Sequence, residues 1–224
     1  MIEEQKVLDK GFVRLISVMG DDQSIVQAAR VSYGQGTKGD EKDKKLIKYL
    51  YTNKHTSPFE MVEFKFHVRC PIFVARQWMR HRMWSYNEYS MRYSPAIQDC
   101  YVPEVWRRQD DKNKQGSTEA IPAELNEELL KKYERHCAAA FELYDELVKH
   151  NVAREMARII VPVGTFTEFY AQVDLSNLIK FLLLRDDDHA QWEIQEYAKA
   201  IKTLIRPHVP WTVEIYEDAR KSGR

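Results

Sequence analysis

The chain has 224 residues, 44% of them apolar and 30% charged, which suits one folded core and not a disordered chain. Thirty-four basic side chains balance 34 acidic ones, so bulk charge excludes a general pull toward nucleic acid or membrane, and any anion site has to be local. Three widely spaced cysteines (Cys70, Cys100, Cys137), a polar first ten residues and apolar runs only as long as 72–75 and 181–184 predict a reduced, cytoplasmic protein of a single domain, residues 1–224, without disulfides, zinc, leader or membrane span.

Gly11–Met19 alternates loosely and is expected to be a strand, 21–31 a short helix and Asp40–Thr52 a second helix. The clearest strand is 61–70, where Val62, Phe64, Phe66, Val68 and Cys70 share one face and Glu63, Lys65, His67 and Arg69 the other. Pro71 suits a helix's first turn, and 71–82 is expected to be helical, with Arg76 and Arg80 on one face. Residues 104–118 are too polar to bury and are expected to form a surface loop. A long helix over 123–150 carries an apolar stripe from Leu125 to Leu147. A helix over 152–161, a strand over 164–173 and helices over 176–184 and 188–206 complete the expected order. Strands interleaved with long helices give an α/β or α+β domain.

Residues 69–93 hold five arginines and no lysine. Arginine presents a planar fork that grips phosphate twice and stacks on flat rings, so this choice points to oriented recognition of phosphates or heterocycles. Beyond Arg82 the segment 83–93, expected to be a loop, mixes hydroxyls, an amide and Glu88 among aromatics, the donors and acceptors a sugar phosphate needs.

The run Arg80-His81-Arg82-Met83-Trp84-Ser85-Tyr86-Asn87-Glu88-Tyr89-Ser90-Met91-Arg92-Tyr93 resembles the signature RHRxxSxNExSxRY of flavin-dependent thymidylate synthases at all nine specified positions. The segments 55–60, 71–78, Arg154-Glu155-Met156-Ala157-Arg158, Leu184-Arg185 and His189-Ala190-Gln191-Trp192-Glu193 also resemble blocks of that family, in family order. The resemblance implies a non-Rossmann domain with a mainly antiparallel sheet flanked by long helices. It implies reductive methylation of dUMP to dTMP with FAD, NADPH and methylenetetrahydrofolate, in a homotetramer whose sites join residues of several subunits. On these positions it places Gln77, Arg80, Glu88, Tyr89, Ser90, Met91, Arg92, Arg158 and Arg185 around dUMP, with Arg185 polarising the uracil near N3 as the catalytic cation. His55, Ser57, Arg80, His81, Arg82 and Glu88 match the FAD-contacting set. Ser57 stands for a family threonine and keeps its hydroxyl. Asp174, Ser176 and Lys180 stand where some members carry Asn, Arg and Asn at the adenine end, a change of charge expected to alter FAD affinity without abolishing it.

Uracil C5 is a poor nucleophile, and none of the three cysteines has an activating neighbour in sequence, so a cation that stabilises ring charge is the expected route. Two other readings stand beside this one. They are a uridylate methylase with another donor, and a nucleic-acid-binding module, which the zero net charge disfavours. Gly34-Gln35-Gly36-Thr37-Lys38-Gly39 fits GxGxxG but follows a helix and not a strand, and reads as a loop. Asp186-Asp187-Asp188 reads as acids at a helix start and His67 as a surface or supporting residue. Arg154 and Arg158, beside an apolar run, are expected to be buried, Arg154 with a structural acid and Arg158 with ligand.

Overall fold

In the computed structural model, residues 3–34 and 36–222 are described. The elements are β1 (Glu3–Val7), β2 (Gly11–Met19), α1 (Asp22–Ala29), α2 (Asp40–Thr52), β3 (Glu63–Pro71), α3 (Ile72–Trp78), β4 (Ser85–Glu88) and the short β5 (Arg107–Gln109) and β6 (Ser117–Ala120). They continue with α4 (Ala123–Lys149), α5 (Arg154–Ala157), β7 (Phe166–Asp174), α6 (Leu175–Arg185), α7 (Trp192–Ile205) and α8 (Pro210–Lys221). Five strands form one antiparallel sheet in the order β1-β2-β3-β7-β4, and β5 and β6 pair separately. The mixed, mainly antiparallel architecture is the expected one.

Strand β3 shows why. Phe64, Phe66, Val68 and Cys70 are fully buried on one face, as their period of two requires, and β3 pairs with β2 on one side and β7 on the other. The apolar stripes of α6 and α7 join the same core. At its centre the Trp78 ring lies 4.9 Å from Phe181, 5.4 Å from Phe169, 5.8 Å from Trp84 and 6.0 Å from Tyr197, each distance between ring centroids.

That aromatic cluster corrects one expectation. The helix expected over 71–82 stops at Trp78, so Arg80 lies in the following turn and not on a helical face with Arg76. Residues six apart on a helix point about 120° apart. Trp78 and Trp84 are both buried in one cluster, so the chain has to turn between them. It then runs back as β4, an edge strand paired with β7 from Ser85↔Gln172 to Glu88↔Phe169, inside a segment expected to be a loop.

Other elements differ as well. The 104–118 excursion contains the β5–β6 hairpin, and the helix expected over 152–161 reduces to α5 and a 3-10 turn, Arg158–Ile160. Strand β1 and helix α8 were not expected. Pro210 opens α8, and the buried Asp22 accepts from the backbone amides of Trp211 (2.7 Å) and Thr212 (3.2 Å) and from the Thr212 hydroxyl (2.6 Å). Asp186 does not begin a helix. It follows α6, buried, within 2.7 Å of both Lys202 Nζ and Arg220 Nη1, and accepts from the Tyr216 hydroxyl at 3.2 Å. Among the described residues no helix is long and apolar enough to cross a membrane.

Candidate active site

Helix α6 begins with Asp174 as its cap, accepting from the Asn177 amide at 2.9 Å, and ends at Arg185. Its buried residues fix the axis, so Arg185 projects from a rigid element. The Arg185 Nε donates to His81 Nε2 at 3.0 Å and Nη2 donates to the Gln77 carbonyl at 3.2 Å. A His81 nitrogen that accepts from a guanidinium must carry no proton, so the ring is neutral with its hydrogen on Nδ1. Burial, and secondly the Arg185 charge, lower the His81 pKa to about 4, in keeping with that form. The His81 ring packs edge-on against Phe181, 5.0 Å between centroids.

Arg185 itself is pushed below its ordinary pKa by burial and by the nearby Arg80 guanidinium. Among the described residues, neither Arg80, Arg82, Arg158 nor Arg185 forms an ion pair with a carboxylate. A half-buried cation beside a second cation, with no acid to offset it, is a place prepared for an anion. The structure thus brings together Gln77, Arg80, His81 and Arg185 from the α3 end, the turn after it and α6.

The signature residues beyond β4 form a second group. Glu88 accepts from the Thr167 hydroxyl at 2.8 Å, the Tyr89 amide donates to the Glu168 carbonyl at 2.8 Å, and the Tyr89 hydroxyl donates to the Pro95 carbonyl at 2.6 Å. The amides of Tyr93 and Ser94 both donate to the Ser90 carbonyl at 3.1 Å, closing a turn, and the half-buried Met91 packs toward Tyr144 and Ala157. Arg92 meets Glu155 at 3.5 Å, an exposed pair that holds it weakly. Arg80, Arg82, Glu88, Tyr89 and Arg92 are exposed, so one chain does not enclose them. Arg154 is exposed too, contrary to expectation, and donates to the Tyr93 carbonyl at 3.0 Å, while Arg158 is half-buried.

His55, Ser176 and Lys180 line a cavity of about 460 Å³ between α2, α6 and α8. Leu50, Phe59, Ile179 and Ile215 give it apolar walls, and Lys48, Lys54 and Lys180 bring cations. Ser57 opens the neighbouring 3-10 turn, Ser57–Met61, and is exposed. Asp174 is taken up in capping α6 and holding the Asn177 side chain at 2.6 Å.

Gln77 donates through Nε2 to Gln191 Oε1, and Gln191 Nε2 donates to Glu193 at 2.9 Å. The buried Glu193 also accepts from Arg107 at 2.8 and 3.0 Å and from the Tyr101 hydroxyl at 3.3 Å. Sequence reasoning assigned no role to Gln191, Glu193, Arg107 or Tyr101, although the block His189 to Glu193 resembles the family and could have flagged two of them. Neither Cys70 nor Cys137 is poised as a nucleophile. Burial raises Cys70 well above its ordinary pKa and pushes Cys137 up to about 12. His67, expected to be a surface or supporting residue, is part-buried, stacks on Tyr170 at 4.7 Å and meets Glu168 at 3.0 Å.

Residues 14–211 match the family described as thymidylate synthase complementing protein. A flavin-dependent thymidylate synthase of Thermus thermophilus is 53% identical over 217 residues, covering 97% of this chain and 79% of that protein. One of Thermosipho africanus is 47% identical over 213 residues, covering 95% and 93%. The crystal structure of a UMP/dUMP methylase, PolB from Streptomyces cacaoi bound with 5-Br UMP, superposes with a TM-score of 0.85 at 32% identity, covering 95% of this chain and 96% of that one. With its fold, its signature and relatives at about half identity over nearly its whole length in agreement, the chain belongs to the family of flavin-dependent thymidylate synthases.

Proposed function

We propose that the chain converts dUMP to dTMP by reductive methylation, with FAD as cofactor and NADPH and methylenetetrahydrofolate as co-substrates. The observation that carries this reading is Arg185, a half-buried guanidinium held by a neutral histidine and a carbonyl, beside Arg80 and without a carboxylate partner. Nε and one Nη2 hydrogen are used within the protein, which leaves Nη1 for a uracil carbonyl. A uracil that gains negative charge there becomes more electron-rich at C5. Arg80, Arg92 and Arg158, with Ser90 and the backbone amides of the turn after β4, supply donors for the 5′-phosphate.

The side chains present also suit FAD. Apolar walls with His55, Ser176 and Lys180 in one cavity match a purine and a diphosphate, and Arg80, His81, Arg82 and Glu88 offer donors and an acceptor for the rest. Held there, FAD would supply a two-electron hydride carrier between NADPH and the carbon that methylenetetrahydrofolate brings. The protein works in the cytoplasm as a single domain over 1–224, in a homotetramer. The exposure of Arg80, Arg82, Tyr89 and Arg92 on one chain supports sites closed by a neighbouring copy.

The PolB relative, titled a UMP/dUMP methylase, favours testing UMP beside dUMP. In the assay, flavin-loaded protein is given either nucleotide with NADPH and methylenetetrahydrofolate, and product is followed by chromatography. Thymidylate should form, and Arg185→Ala should keep flavin while losing about 10²-fold or more in turnover. Wild-type turnover in that variant refutes the role of Arg185.

A further inference from the structure

We propose that Glu193 is a positioning residue that acts through Gln191 to present the side-chain oxygen of Gln77, and not its nitrogen, to the nucleotide. The inference deepens the reading above and rests on its placement of dUMP against Gln77.

Glu193 sits at the start of α7 with its side chain 5% exposed, and it is paired with Arg107 of β5. A carboxylate bound to a guanidinium offers only acceptors. Gln191, 2.9 Å away, must therefore turn its NH₂ toward Glu193. That orientation leaves Gln191 Oε1 as the group facing Gln77, so Gln77 must turn its own NH₂ inward to donate. Gln77 Oε1 is left over, with no partner among the described residues. The amide direction at Gln77, normally open to a flip, is thus fixed by a buried charge two side chains away. Arg185 donates to the backbone carbonyl of the same residue at 3.2 Å, so Gln77 is tied both to that guanidinium and, through Gln191, to the buried acid. A pyrimidine nucleotide has a complementary pattern, with a ring N–H between two carbonyls and a hydroxyl on its sugar.

Arg107 belongs to the β5–β6 hairpin, and its guanidinium also lies over the Trp192 ring at 5.5 Å. A hairpin that looks peripheral therefore supplies the cation that pairs with Glu193 in a buried place. Without it the fixed direction of both amides is lost.

The test is a double-mutant cycle on dUMP affinity, measured calorimetrically with flavin-loaded protein. Glu193→Gln replaces the obligate acceptor by an amide that can also donate, which frees Gln191 and Gln77 to flip. It should weaken dUMP binding roughly three- to tenfold, the scale of one neutral hydrogen bond, with flavin content unchanged. Gln77→Met should cause a similar loss. The double variant should lose no more than Gln77→Met alone, because Glu193 acts only through that side chain. Gln191→Met breaks the chain without touching the buried charge and should show the same coupling, which keeps the test available if Glu193→Gln folds poorly. Additive losses, or unchanged affinity in Glu193→Gln and Gln191→Met, overturn the inference. Wild-type protein that neither binds dUMP nor forms dTMP would instead refute the proposed function, so the two failures are distinct.

Discussion

The His81–Arg185 contact carries a pH dependence whose sign follows from its geometry. Burial first, and the Arg185 charge second, lower the His81 pKa from 6.5 to about 4, a difference of about 2.5. The unfolded chain takes up a proton as pH falls through 6.5, whereas the folded chain resists until about 4. The stability contributed by neutral His81 is therefore fully present above pH 6.5 and is lost progressively between 6.5 and 4. At about 1.4 kcal/mol per pH unit the ceiling is roughly 3.5 kcal/mol. His81 is only half-buried, so water screens part of this, and about 1–2 kcal/mol is the expected share. Arg185→Met removes the second cause and leaves the first, so the pKa should rise but stay below 6.5. Histidine-selective NMR titration of flavin-free protein reads the pKa directly, and urea unfolding at pH 7.5 and 4.5 reads most of the energy. Wild-type His81 titrating near 6.5, or an Arg185→Met protein whose His81 does not move, would refute the account.

Two further outcomes test the fold and the chemistry. A methyl at Gly11 would overlap the Tyr197 hydroxyl and stand 2.7 Å from the Val7 carbonyl oxygen and 2.9 Å from that of Arg69. Gly11→Ala should therefore cost about 1–3 kcal/mol in urea unfolding, and adding Tyr197→Phe should restore only part, because two of the three obstacles are backbone. Cys70→Ala should form thymidylate at close to the wild-type rate, since the Cys70 thiol is fully buried and held protonated. Loss of turnover in a folded, flavin-loaded Cys70→Ala protein would restore the thiolate route.

Elements whose residues bury a periodic face were legible in the sequence. β2, β3, β7, α2, α4 and α7 all carry their period in their own residues, and the structure places them within a few positions of expectation. The elements that were missed owe their form to distant partners. β1 buries only Val7, and β4 has four residues, too few to show a period. The start of α8 is held by Asp22, nearly two hundred positions earlier in the chain. The overlong helix at 71–82 failed for a similar reason, because local propensity continues past Trp78 while burial of Trp84 forces the turn.

The candidate site divides along the same line. Arg80 to Arg92 could be singled out because residue type alone, arginine without lysine, suits phosphates and flat rings, whatever the fold does with it. The direction of the Gln77 amide was not readable, since it depends on side chains at 77, 107, 191 and 193 that meet only in space. The hairpin makes the point most clearly. Its composition says surface, and Ser117 to Ala120 are indeed exposed, yet Arg107 reaches inward to neutralise Glu193. A polar segment cannot bury itself, but one cation from it can make a buried acid tolerable, and that acid in turn fixes which atom of Gln77 faces outward. Polarity in this protein therefore marks more than solvent exposure. It marks where the directional bonds behind the candidate site begin.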